Sequence, residues 1–258
     1  MYRKPFLLLS FDVEEFDMPL EYGQLIPEKE QLQVGYQGLE ALMNVVDAFE
    51  IEATFFTTAN FAQHFPEAIK NISTKHEIAS HTFYHSRFHP EDLISSKRKL
   101  EEIISKPVSG LRMPRMRKVE MDDVKKAGYS YDSSINPSFV PGRYNNLSLP
   151  KRFYYENEVL RFPVSVSPIV RIPLFWLSFK NFPYQFYLHL VKRTLKKEGY
   201  VCLYFHPWEF VSLSDYKIPS YAKRLAGEQL QQRLKRLITD IQPYGKFISM
   251  QNYISNCL

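Results

Sequence analysis

Two histidines placed four residues apart could share one metal ion. His81 and His85 lie in the segment SHTFYH, directly after the short apolar run Glu77–Ser80. Neutral imidazole is a common protein ligand for zinc and related divalent metals. The spacing alone is a weak indication, since histidines on a surface or in a core are more frequent than metal ligands. Their position at the end of a predicted strand favours metal binding.

Three carboxylates follow the first apolar run of the chain. Asp12, Glu14 and Glu15 stand in DVEE, after residues 6–11. Carboxylates this close repel one another unless water or a cation neutralises them. If the backbone stays extended, Asp12 and Glu14 point to the same side because the side chains of a strand alternate. One could then bind metal while the other acts as a base, and a solvated loop is the alternative.

A third histidine ends the most apolar run of the chain, Tyr200–Phe205. Pro207 follows His206 at once and cannot continue a ladder of backbone hydrogen bonds. His206 is therefore expected at the edge of the sheet. It is either a catalytic acid or base, which we favour, or a buried core residue.

The elements that must position these residues alternate between short apolar runs and amphipathic stretches. Strands are predicted at 6–11, 54–58, 77–80, 108–113, 129–133, 159–166, 200–205 and 247–250, and helices at 38–49, 90–104, 119–127, 184–197 and 228–241. A further helix is expected after Asn60, which could cap it. Strands that alternate with helices indicate parallel βαβ units.

About seven such units predict an α/β fold, a distorted (β/α) barrel, although an open doubly wound sheet would give a similar order of elements. The barrel is favoured because polar residues end several predicted strands, at the rim where barrels assemble active sites. These residues are Asp12, His81, Arg112, Asp132 and His206. The Pro- and Asn-rich segment 134–158 is expected to be a loop over this rim.

Composition restricts the class of protein. The chain has 258 residues, of which 45% are hydrophobic and 24% charged, so residues 1–258 are expected to form one globular domain. The net charge is +5, but basic residues alternate with Glu, and we expect no nucleic-acid partner. Cys202 and Cys257 form no disulfide framework or thiolate metal site. No signal peptide and no run of about 20 apolar residues is recognised, so a cytoplasmic protein without a transmembrane segment is expected.

Taken together and in order, these segments resemble the polysaccharide deacetylase family, the NodB-type carbohydrate esterases of family 4. SFDVEEFD resembles the aspartate-rich first motif, SHTFYH the His-Ser/Thr-x-x-His motif, LRMP (111–114) the Arg-x-Pro motif, YDSS (131–134) the aspartate motif and LYFH (203–206) the Leu-x-His motif. Five motifs in order over residues 6–210 are far more specific than any one of them. The chain departs from the family where Val13 separates Asp12 from Glu14, and where Arg115 and Met116 replace the usual glycine and aromatic residue.

The resemblance implies a NodB-like fold and a metal-dependent hydrolase that removes N-acetyl groups from an N-acetylated polysaccharide or glycan precursor. It implies a divalent metal ion, zinc before cobalt or nickel, bound by Glu14, His81 and His85, with Glu15 as the alternative carboxylate. The base maps onto Asp12 and the acid onto His206. Arg112 is expected to pair with Asp12, Asp132 to orient His206 or Arg112, and Tyr84 and Trp208 to stack on a sugar ring or simply to pack.

Two other functions are compatible with the same residues. One is hydrolysis of a small or cyclic amide on the same fold. The other is glycan binding by a catalytically degenerate member of the family, which the altered first and third motifs favour. The oligomeric state and the natural glycan are left open by the sequence.

Overall fold

The computed structural model describes residues 4–257. The strands are β1 (Phe6–Val13), β2 (Thr54–Thr57), β3 (Glu77–Ser80), β4 (Gly110–Leu111), β5 (Tyr131–Asp132), β6 (Phe139–Val140), β7 (Tyr144–Asn145), β8 (Tyr154–Glu156), β9 (Val159–Arg161), β10 (Tyr200–Phe205) and β11 (Lys246–Phe247). The main sheet has the order β10-β1-β2-β3-β4-β5-β9-β8, and β11 also pairs with β1. Neighbours are parallel except for the antiparallel β8 and β9, while β6 and β7 form a separate hairpin.

Helices cover the outside of this sheet. They are α1 (Met18–Glu21), α2 (Glu28–Ala48), α3 (Ala59–His64), α4 (Pro66–Ile72), α5 (Asp92–Ile104), α6 (Met121–Lys126), α7 (Trp176–Asn181), α8 (Tyr184–Glu198), α9 (Ser220–Lys223), α10 (Glu228–Ile241) and α11 (Met250–Cys257), with 3₁₀ turns at Pro114–Met116, Pro207–Phe210 and Gln242–Tyr244. None of the helices within residues 4–257 has both the length and the apolar character needed to cross a bilayer.

The sheet curls into a half-barrel, which confirms the predicted α/β barrel-like class. Its path contains eight strands where about seven are predicted. Between β9 and α7 the chain is extended but irregular, and it lies beside β10: the Ser165 amide donates to the Cys202 carbonyl at 2.9 Å, and Phe175 forms an isolated parallel bridge with Tyr204. This segment closes the gap between the two strands with few ladder hydrogen bonds.

The central strands are apolar on both faces because both faces are covered. In β1, Leu7, Leu8, Leu9 and Phe11 are all at most 1% exposed. The polar side chains of this strand come at its carboxyl end, where the sheet opens to the site. Burial of the apolar run therefore fixes where the carboxylates of the next residues emerge.

Helix α2 packs against the turn that follows β10, and a glycine permits the contact. A Cβ atom on Gly38 would lie 2.1 Å from the carbonyl oxygen of Pro207, a distance that no side chain tolerates. Gly35, one turn earlier, approaches the Glu14 carbonyl in the same way, at 2.6 Å from its ideal Cβ position. Because neither glycine has a side chain, α2 packs directly against the backbone segments that carry site residues.

Several element boundaries differ from the predicted ones. β4 and β5 have only two residues each, and α2 begins at Glu28, ten residues before the predicted start at 38. The predicted cap of α3 is wrong: Thr58 is the N-cap, and its hydroxyl accepts from the Phe61 amide at 3.2 Å. Asn60 lies inside the helix, where its side chain binds Glu15 instead. The expected loop at 134–158 contains the β6–β7 hairpin and β8.

Candidate active site

The carboxyl ends of β1, β3 and β10 converge on one cavity of about 300 Å³. The predicted residues Asp12, Glu14, His81, His85 and His206 all line it. Most of the remaining wall is aromatic or apolar. Its aromatic members are Tyr22, Tyr144, Phe175, Trp176, Tyr204, Trp208 and Tyr221.

Three of these side chains bring ligand atoms together. Glu14 Oε2 lies 3.0 Å from His81 Nε2 and 3.1 Å from His85 Nε2. One nitrogen or oxygen atom from each residue lies within 4.8 Å of the others, and all three residues are buried. His81 leaves the end of β3, and His85 follows in the next turn, so that the spacing of four residues aims both rings at the carboxylate. The geometry selects Glu14, rather than Glu15, as the carboxylate between the histidines.

The outer hydrogen bonds of the two imidazoles show that this cluster suits a cation. His81 Nδ1 lies 2.7 Å from the Arg112 carbonyl oxygen and His85 Nδ1 lies 2.8 Å from Asp17 Oδ1. Both partners can only accept, so each Nδ1 carries the proton and donates it. With that proton on Nδ1, the neutral form of each ring presents the lone pair of Nε2 toward Glu14. Lone pairs that face a carboxylate are stabilised by a metal ion between them, and such outer partners are typical of histidine metal ligands.

The two oxygens of Glu14 have different partners. The indole Nε1 of Trp208 donates to Oε1 at 2.9 Å, which leaves Oε2 for the histidines. Glu15 turns the other way and accepts hydrogen bonds from Thr58 at 2.8 Å and Asn60 at 2.6 Å. This opposition follows from extended backbone, in which neighbouring side chains point to opposite faces.

Burial and charge reinforce this picture. Burial alone would raise the pKa of Glu14, but His85, His206 and His81 hold that pKa well below its ordinary value. Burial lowers the pKa of His85, yet Glu14 and Asp17 outweigh it and raise that pKa to about 9. Burial also opposes the charged form of His206, but nearby carboxylates, led by Glu14, raise its pKa. The site therefore attracts positive charge, which a metal ion supplies directly.

Asp12 is held by Arg112 beside the metal-ligand cluster. Arg112 Nη1 donates to Asp12 Oδ1 at 2.6 Å and to the Ser10 hydroxyl at 2.9 Å. The rest of the guanidinium, which is fully buried, donates to Ser133. Although burial lowers the pKa of Arg112, Asp12 raises it, so the guanidinium stays charged. The second oxygen of Asp12, Oδ2, lies 4.0 Å from His206 Nε2 and faces the cavity.

His206 is oriented by a glutamate three residues later. Glu209 Oε1 accepts from the His206 backbone amide at 2.9 Å and lies 3.0 Å from its Nδ1. The other carboxylate oxygen lies 3.2 Å from Nζ of Lys180, and both side chains of this pair are fully buried. Since Nδ1 donates to Glu209, Nε2 is the nitrogen that exchanges protons with the cavity. The ring stacks on Trp208 with centroids 4.9 Å apart.

Three residues expected in the site have other surroundings. Asp132 is fully buried and pairs with Arg161 at 3.0 Å. It makes neither of the expected contacts, with His206 or with Arg112, whose guanidinium donates to Ser10, Asp12 and Ser133. For His206 the reason is that Glu209 already occupies the Nδ1 side of the ring. Tyr84 does not line the cavity but lies under the guanidinium of Arg87, 3.9 Å from the ring centroid. Trp208 lines the cavity, but its indole nitrogen donates a hydrogen bond to Glu14.

Three charged residues that support the site were not predicted from the sequence. They are Asp17, which bonds His85, Glu209, which bonds His206, and Lys180, which pairs with Glu209. Asp17 lies in the same acidic segment as Glu14 and is fixed by Arg115, whose Nη2 donates to Asp17 Oδ2 at 2.8 Å. Glu209 stands at the third position after His206, a spacing that suits a capping contact. Lys180 has no sequence signal, because its partner is brought to it only by the packing of α7.

Comparison with protein families places these residues in a known group. The family described as polysaccharide deacetylase matches residues 33–131, which include His81, His85 and Arg112. This match places residues 33–131 in the polysaccharide deacetylase family. A domain of unknown function (DUF3473) matches residues 133–255 of the chain, including His206 and Glu209. A search of the curated proteins finds no match.

Solved structures share the fold of this chain over nearly its full length. The probable polysaccharide deacetylase from Pseudomonas aeruginosa PAO1 has a TM-score of 0.67 at 14% identity, covering 98% of this chain and 92% of that one. The allantoinase PuuE has a TM-score of 0.66 at 14% identity, with the same coverage. A CE4 family pseudoenzyme from Bacillus anthracis has a TM-score of 0.53 at 12% identity, covering 96% of this chain and 65% of that one.

The two matched regions contribute residues to a single cavity. β5 begins at the last residue of the first region and pairs with β9 of the second, and β10 of the second region pairs with β1. Asp12 and Glu14 precede both matched regions. The cavity therefore draws on three successive parts of the chain.

Proposed function

We propose that this chain is a divalent-metal-dependent deacetylase that hydrolyses the acetamide group of an N-acetylated glycan, with residues 1–258 acting as one catalytic domain. The observation that carries the proposal is the arrangement of Asp12 and His206 beside the Glu14, His81 and His85 cluster within one cavity. Three protein ligands with positions left for water and substrate are typical of catalytic zinc sites, so zinc is the first candidate.

Each acid–base role corresponds to a particular atom of the chain. When bound, a divalent ion supplies Lewis-acid activation of water and of the amide carbonyl. Asp12 Oδ2, the oxygen not engaged by Arg112, accepts the proton of the attacking water. The water oxygen forms the bond to the acetyl carbon. His206 Nε2 donates a proton to the amide nitrogen as the C–N bond breaks, and the products are acetate and a free amine.

Arg112 and Glu209 prepare these two groups. Arg112 pairs with Oδ1 of Asp12 and leaves the other oxygen of the carboxylate free. Glu209 holds the Nδ1 proton of His206 and stabilises the charged ring that must donate. A positioned acid or base contributes about 10²–10⁴-fold to a rate, so each of these supports is expected to matter for turnover.

The experiment combines metal analysis with an acetate assay. The protein is stripped with a chelator, reloaded with zinc, cobalt or nickel, and assayed with free and oligomeric N-acetylglucosamine, N-acetylgalactosamine and N-acetylmannosamine. We expect about one metal ion per chain and metal-dependent release of acetate. His81→Ala should lose the ion, whereas the control His189→Ala, at an exposed position of α8, should retain it. Failure of the wild-type chain to bind any of these metals would contradict the proposal.

Hydrolysis of a small cyclic amide is the second candidate function. The cavity volume of about 300 Å³ favours a compact substrate, and the allantoinase PuuE shares the fold. Adding cyclic imides and ureides to the same panel separates the two functions. Turnover of a ring amide without acetate release from any sugar would favour the second candidate.

A glycan-binding role without catalysis is the third possibility. The altered first motif motivated it, yet Asp12 and Arg112 are paired, and His206 has its own carboxylate partner. These groups are the ones that hydrolysis requires. Tight glycan binding with no acetate release at any metal loading would favour the binding role.

A further inference from the structure

At the rim of the cavity an ion pair joins the β6–β7 hairpin to α1. Arg143 of the hairpin donates from Nη2 to Glu21 Oε2 at 3.3 Å. On its other oxygen Glu21 pairs with Arg115 Nε at 2.6 Å. One carboxylate of α1 therefore joins the hairpin to the loop after β4, and all three side chains line the cavity.

The rim continues from α1 to α9. The hydroxyls of Tyr22 and Tyr221 lie 3.4 Å apart across the cavity mouth. Just beyond them, Gln24 donates to the Asp215 carbonyl at 3.5 Å and accepts from the Lys217 amide. These contacts join the segment after α1 to the segment before α9, about 190 residues apart in the sequence.

The remaining part of the rim runs from α9 through α7 back to the hairpin. Asn181 at the end of α7 donates to the Tyr221 carbonyl at 2.9 Å. Phe175 and Trp176, next to and at the start of α7, continue the cavity lining. Arg171, earlier in the same segment and outside the lining, donates to the carbonyls of Leu149 at 2.8 Å and Pro137 at 3.3 Å. Pro137 lies just before the β6–β7 hairpin. These contacts therefore join the segments that carry the lining residues into a closed ring.

A closed ring restricts the shape of substrate that can reach Asp12 and His206. An internal unit of a polymer needs a groove open at two ends, so that the chain can enter and leave. The volume of about 300 Å³ is at the lower end of the roughly 300–1,000 Å³ found for small-molecule pockets. Aromatic side chains such as Trp176, Tyr144 and Tyr221 line it and offer apolar faces to a sugar ring.

We propose that the cavity accepts a single N-acetylated sugar unit, either free or at the end of a glycan, and excludes units inside a polymer. This inference rests on the proposed deacetylase function and specifies the form of its substrate. The reaction is the same hydrolysis of one acetamide to acetate and an amine. The closed ring limits this hydrolysis to the acetamide of an end unit of the glycan.

The number of acetyl groups lost per molecule tests the inference. Metal-loaded wild-type protein is incubated with the free sugars and with length series of their β-linked oligomers, and the products are sequenced by tandem mass spectrometry. We expect loss of one acetyl group per molecule at every length, always from an end unit. Loss of internal acetyl groups by the wild type would overturn the inference while leaving the deacetylase function intact. Acetate release from none of the sugars would instead contradict the deacetylase function.

Variants that open the ring provide the second measurement. Arg143→Ala cuts the link from the hairpin to Glu21, and Tyr221→Ala removes the contact with Tyr22. In the double variant, products that have lost internal acetyl groups should appear from the longer oligomers. Tyr155→Ala, at a position 69% exposed on β8 and outside the cavity lining, is the matched control and should keep the wild-type pattern. If the opened variant binds metal but still removes only end acetyl groups, the ring is not what selects the substrate.

Discussion

Glu209→Gln removes the negative charge that His206 and Lys180 share, while preserving the size of the side chain. Glu209 and Lys180 are both fully buried, with 3.2 Å between the carboxylate and Nζ. At an effective dielectric constant of ~20 this separation corresponds to an attraction of about 5 kcal/mol. That value agrees with the roughly 3–5 kcal/mol lost when one partner of a buried ion pair is removed. We therefore expect the variant to lose about 3–5 kcal/mol of stability.

The effect on catalysis has a separate cause. The amide oxygen of glutamine can still accept the Nδ1 proton of His206, but it no longer stabilises the charged ring. We expect kcat to fall by about 10²-fold, the lower end of the usual contribution of an acid or base. Burial lowers the pKa of His206, whereas Glu14 and Glu209 raise it. Without Glu209 that pKa falls, so the alkaline limb of the kcat profile, where the acid loses its proton, should move to lower pH.

A second substitution separates stability from catalysis. Lys180→Met combined with Glu209→Gln removes both charges and should recover much of the stability, because no uncompensated buried charge remains. The double variant should nevertheless keep the low kcat. The assays are denaturant unfolding, acetate release against pH, and metal content. A wild-type kcat in Glu209→Gln would refute the role of Glu209 in catalysis. Losses of stability that simply add in the double variant would refute its pairing with Lys180.

Four further outcomes are expected. Asp12→Asn should retain the metal ion but lose about 10²–10⁴-fold in kcat, and a variant that loses metal instead would make Asp12 a ligand. Glu14→Ala should abolish metal binding, measured by elemental analysis, while Glu15→Ala should not; equal metal content in Glu14→Ala and wild type would exclude Glu14 as a ligand. Asp17→Asn removes the carboxylate behind His85 and should weaken metal affinity by about 10–100-fold in competition with a chelator, and unchanged affinity would show that this contact does not orient the ring. Burial raises the pKa of Glu77, so its contribution to stability is largest below the ordinary glutamate pKa of about 4.3 and is lost as pH rises through the raised value. The free energy of unfolding of wild type should therefore fall relative to that of Glu77→Gln as the pH rises above about 4.3, and parallel curves would contradict this assignment.

Much of the site is predictable because its residues end local apolar runs. The strands at 77–80 and 200–205 and the helix at 228–241 have the same bounds in the structure as in the prediction. Each strand is buried and each is followed by a histidine that faces the cavity. Hydrophobic periodicity is a property of neighbouring residues, so the sequence alone reveals where a strand ends and which side chain comes next.

Short and irregular elements are less predictable for the opposite reason. β4 and β5 have two residues each, too few for a periodic pattern, and their place in the sheet depends on neighbouring strands. The early start of α2 follows from the burial of Leu32, Val34 and Gly35. Gly35, for example, packs between Glu14 and Phe61, each more than twenty residues away in the chain.

The partners of the buried charged groups are decided only by tertiary structure. The sequence identifies His81 and His85 and favours Glu14 as the carboxylate, with Glu15 as the alternative. In the structure Thr58 and Asn60, more than forty residues away, engage Glu15. The aspartate motif suggests Asp132 as the group that orients His206. In the structure Glu209, three residues after His206, lies beside its Nδ1 instead. A buried charge must be paired with whatever group the fold brings within hydrogen-bond distance. The sequence therefore determines which chemical groups are available, whereas packing determines which of them meet.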